Sequence, residues 1–134
     1  MKLNDLLRTK PAKIVTCRDD NTIREAVDLM DGKEVGSVLV MDDGGDLKGI
    51  FTERDVLRCV AREVDFDTEK ITGVMSKNPV QLDASADIEE AANVMSKGNF
   101  RHLPVNNGKE LIGMVSYRDL VSYLLPEVIF SSEE

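Results

Sequence analysis

The chain has 134 residues, 42% of them apolar and 31% charged, the composition of one ordinary folded domain or of two very small ones sharing a core. Lys and Arg number 17 against 25 Asp and Glu, a net charge of −8, which argues against general nucleic-acid or anionic-membrane binding because phosphate contacts need a local density of cations. One His, two Cys and no Trp leave few side chains for metal ligation or a nucleophile–base pair.

The N-terminus lacks the apolar run of a secretory signal, and no run is long enough to cross a bilayer. A cytoplasmic protein is expected. Cys17 and Cys59 match no metal or redox spacing and read as buried free thiols, with a disulfide left open.

In chain order, Leu3–Leu7 suits a short helix before Pro11, and Ile14–Cys17 a first strand. Ile23, Ala26, Val27 and Met30 form one helical stripe, preceded by a capping-box pair, Thr22 and Glu25. Gly32 is a natural stop. Ser37–Met41 and Leu47–Phe51 read as strands joined by a turn at Asp43-Gly44-Gly45, and a helix with Val56, Leu57 and Val60 inward follows. Ile71–Met75 suits a short helix before Pro79.

The pattern then recurs. Val80–Leu82 is a strand, and Ile88, Ala91, Ala92 and Met95 form a stripe behind an Asp87/Glu90 capping pair, with Gly98 as the stop. His102–Asn106 and Leu111–Val115 flank a turn at Asn107-Gly108, and a helix follows with Leu120, Val121 and Leu124 inward. Val15 aligns with Val80, Ile23 with Ile88, Met30 with Met95 and Val40 with Val105. After a one-residue deletion in the Asp/Gly-rich turn, Gly49 aligns with Gly113 and Asp55 with Asp119. The chain is therefore read as β-α-β-β-α written twice: repeat 1 over 1–63 with the N-terminal segment, a linker over 64–79, and repeat 2 over 80–134 with the C-terminal tail. A single unit of roughly 60 residues buries little surface alone, so one globule of two repeats is expected.

Both copies carry Gly-apolar-apolar-[Thr/Ser]-x-Arg-Asp where a strand gives way to a helix: Gly49-Ile50-Phe51-Thr52-Glu53-Arg54-Asp55 and Gly113-Met114-Val115-Ser116-Tyr117-Arg118-Asp119. Capping alone accounts for Thr52 or Ser116 with Asp55 or Asp119. It does not account for Arg54 and Arg118, because a cation in the first helical turn opposes the dipole. It also does not require the glycine, which at a strand end marks close approach of another group. The same geometry suits an anion and a ribose: free N–H groups at the helix start, a carboxylate for two hydroxyls, a hydroxyl and an Arg for phosphate.

These motifs, with Gly36-Ser37-Val38-Leu39-Val40, Val74-Met75-Ser76-Lys77-Asn78-Pro79-Val80 and Arg101-His102-Leu103-Pro104-Val105, resemble the cystathionine-β-synthase (CBS) domain, and the pair resembles a Bateman module over about residues 3–126. The resemblance implies an α/β fold of two β-α-β-β-α repeats packed with pseudo-two-fold symmetry. It implies clefts between them that bind AMP, ADP or ATP, less often S-adenosylmethionine or NAD-type ligands, with no cofactor required. By position, Asp55 and Asp119 would hold ribose hydroxyls, and Thr52 and Ser116 would sit by the ribose-phosphate. Val15, Thr16 and Cys17, with Val80 and Leu82, would face the base. Arg101 and His102, on the strand that continues through Leu103 and Pro104, would face phosphate, with Arg54 and Arg118 as further candidates. Gly36-Ser37 stands where copy two has Arg101-His102, so unequal sites are expected. His102 equally suits a packing role.

No nucleotide-triphosphatase loop, metalloprotease helix or nucleophile elbow is present, so no enzyme is expected. The acid clusters at Asp19-Asp20, Asp42-Asp43 and Asp65-Phe66-Asp67 read as solvated loops, not metal sites. The resemblance further implies a homodimer formed through helices, with Leu120–Leu125 as one apolar face, and an enzyme or transporter regulated in trans. The alternative is a ligand-free interaction or dimerisation module whose motifs are only helix caps.

Overall fold

The computed structural model describes residues 1–9 and 14–125; Pro11 and the C-terminal tail beyond Leu125 lie outside them. The chain divides into two compact units, Ile14–Pro79 and Met1–Lys13 with Val80–Glu134.

The unit built on repeat 1 contains β1 (Thr16–Arg18), α2 (Ile23–Lys33), β2 (Ser37–Met41), β3 (Leu47–Thr52), α3 (Glu53–Ala61), a single 3-10 turn at Ile71–Gly73 and β4 (Ser76–Lys77). Its sheet runs β1-β2-β3-β4, with β1 parallel to β2 and the other pairs antiparallel. The unit built on repeat 2 contains α1 (Leu3–Thr9), β5 (Leu82–Asp83), α4 (Ile88–Gly98), β6 (His102–Asn106), β7 (Leu111–Ser116) and α5 (Tyr117–Leu124), around a sheet in the order β5-β6-β7. The β-α-β-β-α order is present twice. The first strand of each copy starts about two residues later than the sequence suggests, because the ladder begins only where β2 or β6 offers partners, at Thr16↔Leu39 and Leu82↔Val105.

The stripes on α2 and α4 face their sheets: Ile23, Ala26 and Met30 are buried in one unit, Ile88, Ala91 and Met95 in the other. They pack on Val38, Val40 and Phe51, and on Leu103, Val105 and Val115. The alternate side chains of the central hairpins, Leu39 with Ile50 and Pro104 with Met114, are buried as well. Both hairpins therefore read as near-continuous apolar runs and not as a two-sided alternation.

The turns form as their chemistry demands. Gly45 and Gly108 take positive φ, and the Asp42 carboxylate accepts the N–H groups of Gly44 and Asp46, each at 2.9 Å. Four local expectations change. Gly32 lies inside α2, which ends at Lys33 with Glu34 in the left-handed cap position, and α4 ends on Gly98 with Asn99 in that role. The Thr22/Glu25 capping box is complete, but Asp87 makes no side-chain cap. Its carboxylate pairs instead with Lys2 Nζ at 3.0 Å. On α3, Leu57 and Val60 are 68% and 60% exposed, while Asp55 and Cys59 are buried and Val56 is half-buried. The bonds between Thr52 and Asp55 turn the 55–56–59 face inward, which places Leu57 and Val60 on the opposite side. On α5, Leu120 is fully buried, so the expected Leu120–Leu125 face presents Tyr123 and Leu125 to the surface but not Leu120.

The segment ahead of each repeat packs with the other copy. Helix α1 docks on the turn before α4, where Leu3 N donates to Ala86 O and Asn4 N to Ala84 O, each at 2.9 Å. Leu3 and Leu6 are fully buried in the repeat 2 core, and Thr9 Oγ1 lies 2.7 Å from Tyr123 Oη. Correspondingly, Ile71 N donates to Asn21 O and Ile23 N to Glu69 O ahead of α2, with Ile71 buried in the repeat 1 core. Thus the N-terminal segment, grouped with repeat 1 along the sequence, belongs in space with repeat 2, and much of the 64–79 linker completes the repeat 1 sheet and core.

Candidate functional site

In each unit the parallel and antiparallel pairings bring three chain ends to one edge of the sheet: the start of the first strand, the start of the second and the end of the third. In the repeat 1 unit Ser37 stands opposite Thr52, and Val15 lies beside them, its carbonyl accepting Leu39 N at 2.9 Å. In the repeat 2 unit His102 stands opposite Ser116. Each third strand runs directly into a helix start, at Glu53 N bonded to Gly36 O and at Tyr117 N bonded to Arg101 O.

Thr52 caps α3. Asp55 N donates to Thr52 Oγ1 at 3.4 Å, while Asp55 Oδ2 accepts Thr52 N at 2.9 Å and Thr52 Oγ1 at 3.2 Å. The other carboxylate oxygen, Oδ1, lies 3.5 Å from Arg58 Nη1. The Asp55 side chain is only 8% exposed, so its carboxylate is a structural group whatever else it binds. Ser116 caps α5 by accepting Asp119 N at 3.1 Å, and Asp119 is half-buried.

The two junctions differ in charge. Beside Ser37 the chain has Gly36, and the Glu53 carboxylate lies over it, 3.2 Å from where a Cβ would stand. Beside His102 it has Arg101, with Tyr117 in the place of Glu53. The repeat 2 junction thus gathers Ser116, Asp119, Arg101 and a half-buried His102, while an acid occupies the equivalent approach in repeat 1. Arg54 and Arg118 lie exposed on the first turns of their helices. Among the base-facing residues, Val15 and Cys17 are buried, Thr16 is exposed and Val80 is 47% exposed; Leu82 is half-buried, as the partner of Val105. Leu103 and Pro104 are buried within β6 and serve packing.

The motif glycines have a local explanation. A Cβ on Gly49 would meet the Met75 side chain and stand 2.8 Å from the Ser76 carbonyl oxygen; one on Gly113 would stand 2.8 Å from the Leu7 methyls. The group that approaches each glycine is the leading segment of the other repeat.

A cavity of about 290 Å³ lies in the repeat 1 unit, between α3 and the segment that enters β4. Asp55, Arg58, Cys59 and Arg62 form its helical wall, with Val64 and residues 73–76 opposite. Sequence reasoning missed Arg58 and Arg62; their signal was the i, i+3 and i, i+7 spacing from Asp55, which puts all three on one helix face. Both cysteines are free, and burial pushes the Cys17 thiol up to about 11 and raises that of Cys59, so neither is an activated nucleophile. Among the described residues, no group of three or more His, Cys, Asp or Glu could hold a metal ion, and no helix is long and apolar enough to cross a membrane.

The family model of the CBS domain matches residues 4–62 and 71–126. An uncharacterised 17.7 kDa protein of Acidianus ambivalens is 35% identical over 84% of this chain and 68% of its own length. A putative signal-transduction protein with CBS domains from Burkholderia ambifaria superposes with a TM-score of 0.87 at 31% identity, covering 98% of each chain. A CBS-domain protein of Pyrobaculum aerophilum, solved in complex with AMP, superposes with a TM-score of 0.81 at 27% identity, covering 89% of each. The chain spans only 20% of the length of two plant relatives that it matches at 33% identity.

Proposed function

The chain belongs to the CBS-domain family and carries the domain twice, and from this premise we propose that it is a regulatory module that senses an adenosyl nucleotide of the AMP, ADP or ATP class. The observation that carries the reading is the repeat 2 junction. A capped helix start, a half-buried carboxylate at Asp119, and Arg101 and His102 at the facing strand supply a diol acceptor and phosphate donors within a few residues. The AMP held by the Pyrobaculum protein supports the ligand class. S-adenosylmethionine fits less well, because its sulfonium cation would face Arg101 where AMP offers a phosphate, and an NAD-type ligand would have to place a second nucleoside beyond its pyrophosphate. Binding would act by favouring one arrangement of the module over another, and so altering contacts with a regulated enzyme or transporter, or with a second copy. The Leu57 and Val60 face of α3 suits self-association.

Titration calorimetry with AMP tests the reading. At 100 times the dissociation constant, ligand should raise stability by about 2.7 kcal/mol, and Asp119→Asn or His102→Gln should abolish most of that gain. Absence of binding by AMP, ADP, ATP and S-adenosylmethionine would overturn it. That result would favour a ligand-free interaction module, the reading that the capping bonds between Thr52 and Asp55 support on their own.

A further inference from the structure

The geometry points to a second anion subsite, on the α3 wall of the repeat 1 cavity, where Arg58 and Arg62 receive a phosphate group of a ligand whose hydroxyls reach Asp55, the carboxylate that the resemblance already assigns to ribose. The inference rests on the proposed nucleotide reading and extends it to a part of the unit that the repeated motifs do not include. The junction edge of this unit carries Glu53 over Gly36, which repels an anion approaching from the strand side. The cations lie on another side. Arg62, the residue that caps the end of α3, lies one turn after Arg58, whose carbonyl accepts its N–H at 3.0 Å; their Cβ atoms are roughly 6 Å apart, and both line the 290 Å³ cavity. That spacing lets two guanidinium groups share one phosphate. Arg54, the motif arginine, is not among the residues lining the cavity.

Arg58 has a second role. Its Nη1 is 3.5 Å from Asp55 Oδ1, and the Arg58 side chain is 53% exposed, so the pair is loose and easily exchanged. An anion that draws Arg58 toward Arg62 leaves Oδ1 available to a ligand hydroxyl, while Oδ2 stays bonded to Thr52 and keeps the helix capped. Asp55 stands in the same wall as the two arginines, and the Glu69 carboxylate lies beside Gly73, so the surroundings carry both signs and favour a ligand with hydroxyl donors as well as an anionic end. The repeat 2 copy has Ser122 at the position of Arg58, its hydroxyl bonded to Asp119 O, so the device belongs to repeat 1 alone.

The test compares AMP, adenosine and pyrophosphate as probes on the intact chain and on Arg58→Gln/Arg62→Gln, with Lys97→Gln as a charge control in the other unit. Calorimetry on the wild type should resolve two AMP sites, and one of them should weaken at least tenfold in the double variant, with adenosine affinity there unchanged or improved. Pyrophosphate should protect the wild type from thermal unfolding more than it protects the double variant. Equal AMP and pyrophosphate responses in the wild type and the double variant would overturn the subsite and leave the nucleotide reading standing. No AMP response, with a pyrophosphate response lost in the double variant, would overturn the nucleotide reading and uphold the anion subsite. No response to any probe would overturn both.

Discussion

Replacing Asp55 with Ala in the ligand-free protein separates the structural work of its carboxylate from any binding role. The carboxylate is 8% exposed and accepts two bonds from Thr52, at 2.9 and 3.2 Å. Hydrogen bonds to a charged group contribute about 1.5–3 kcal/mol net, and a carboxylate in the first turn adds about 0.3–1 kcal/mol through the helix dipole. The Arg58 pair adds less than about 0.5 kcal/mol, because the arginine is half in water and exposed pairs are screened. The loss expected for Asp55→Ala is about 2–4 kcal/mol. Asp55→Asn retains an acceptor for Thr52 N and loses only the charge, about 1 kcal/mol. With a urea slope of about 2 kcal/mol/M, the unfolding midpoint followed by far-ultraviolet circular dichroism should fall by about 1–2 M for Ala and about 0.5 M for Asn. A midpoint within about 0.2 M of wild type for Ala would refute the claim that this carboxylate closes the start of α3.

The two motif glycines should respond differently to Ala. Gly49→Ala sets a methyl against the Ser76 backbone carbonyl and should cost about 1–3 kcal/mol in the same melt, whereas Gly113→Ala meets only the mobile end of Leu7 and should cost less than half as much. Thr22→Ala should lose about 1 kcal/mol with the α2 capping box. Asp87→Ala removes only a half-exposed ion pair with Lys2, and its midpoint should barely move. Glu25, Asp42 and Asp83 are held below their ordinary carboxyl values, chiefly by bonds from Thr22 N, Asp46 N and the Ser85 hydroxyl respectively. Because the folded values are the depressed ones, their contribution is complete above the ordinary values near 4 and is lost as pH falls through the folded ones. Glu25→Gln with Asp42→Asn should flatten the fall in stability measured between about pH 5 and 2.

The α2 and α4 stripes, both hairpins and the duplicated strand-to-helix junctions were legible because each rests on local chemistry: a 3.6-residue period, a turn glycine, a hydroxyl three residues before a carboxylate. The misses were non-local. Which way α3 faces depends on Asp55 folding back onto Thr52, and the α4 cap depends on Lys2 drawing Asp87 away. The partner of each motif glycine comes from the leading segment of the other repeat, which no window on the sequence contains. At the site, the charge difference between Gly36-Ser37 and Arg101-His102 was visible in the residues. The arginines proposed to bind an anion were not, because Arg58 and Arg62 fall outside the repeated motif and come together only at the cavity that residues 73–76 also line.

The exchange of leading segments also bears on where the chain can be divided. A single repeat cut from this chain with the segment ahead of it would lack the segment that covers the glycine of its third strand. In the intact chain the linker supplies that segment at an effective concentration of the millimolar order typical of short tethers. Leu7 packs over Gly113 and Met75 over Gly49, so each glycine and the side chain that covers it come from opposite halves of the sequence. The unit of sequence repetition in this chain is therefore offset from the unit of packing by one short segment.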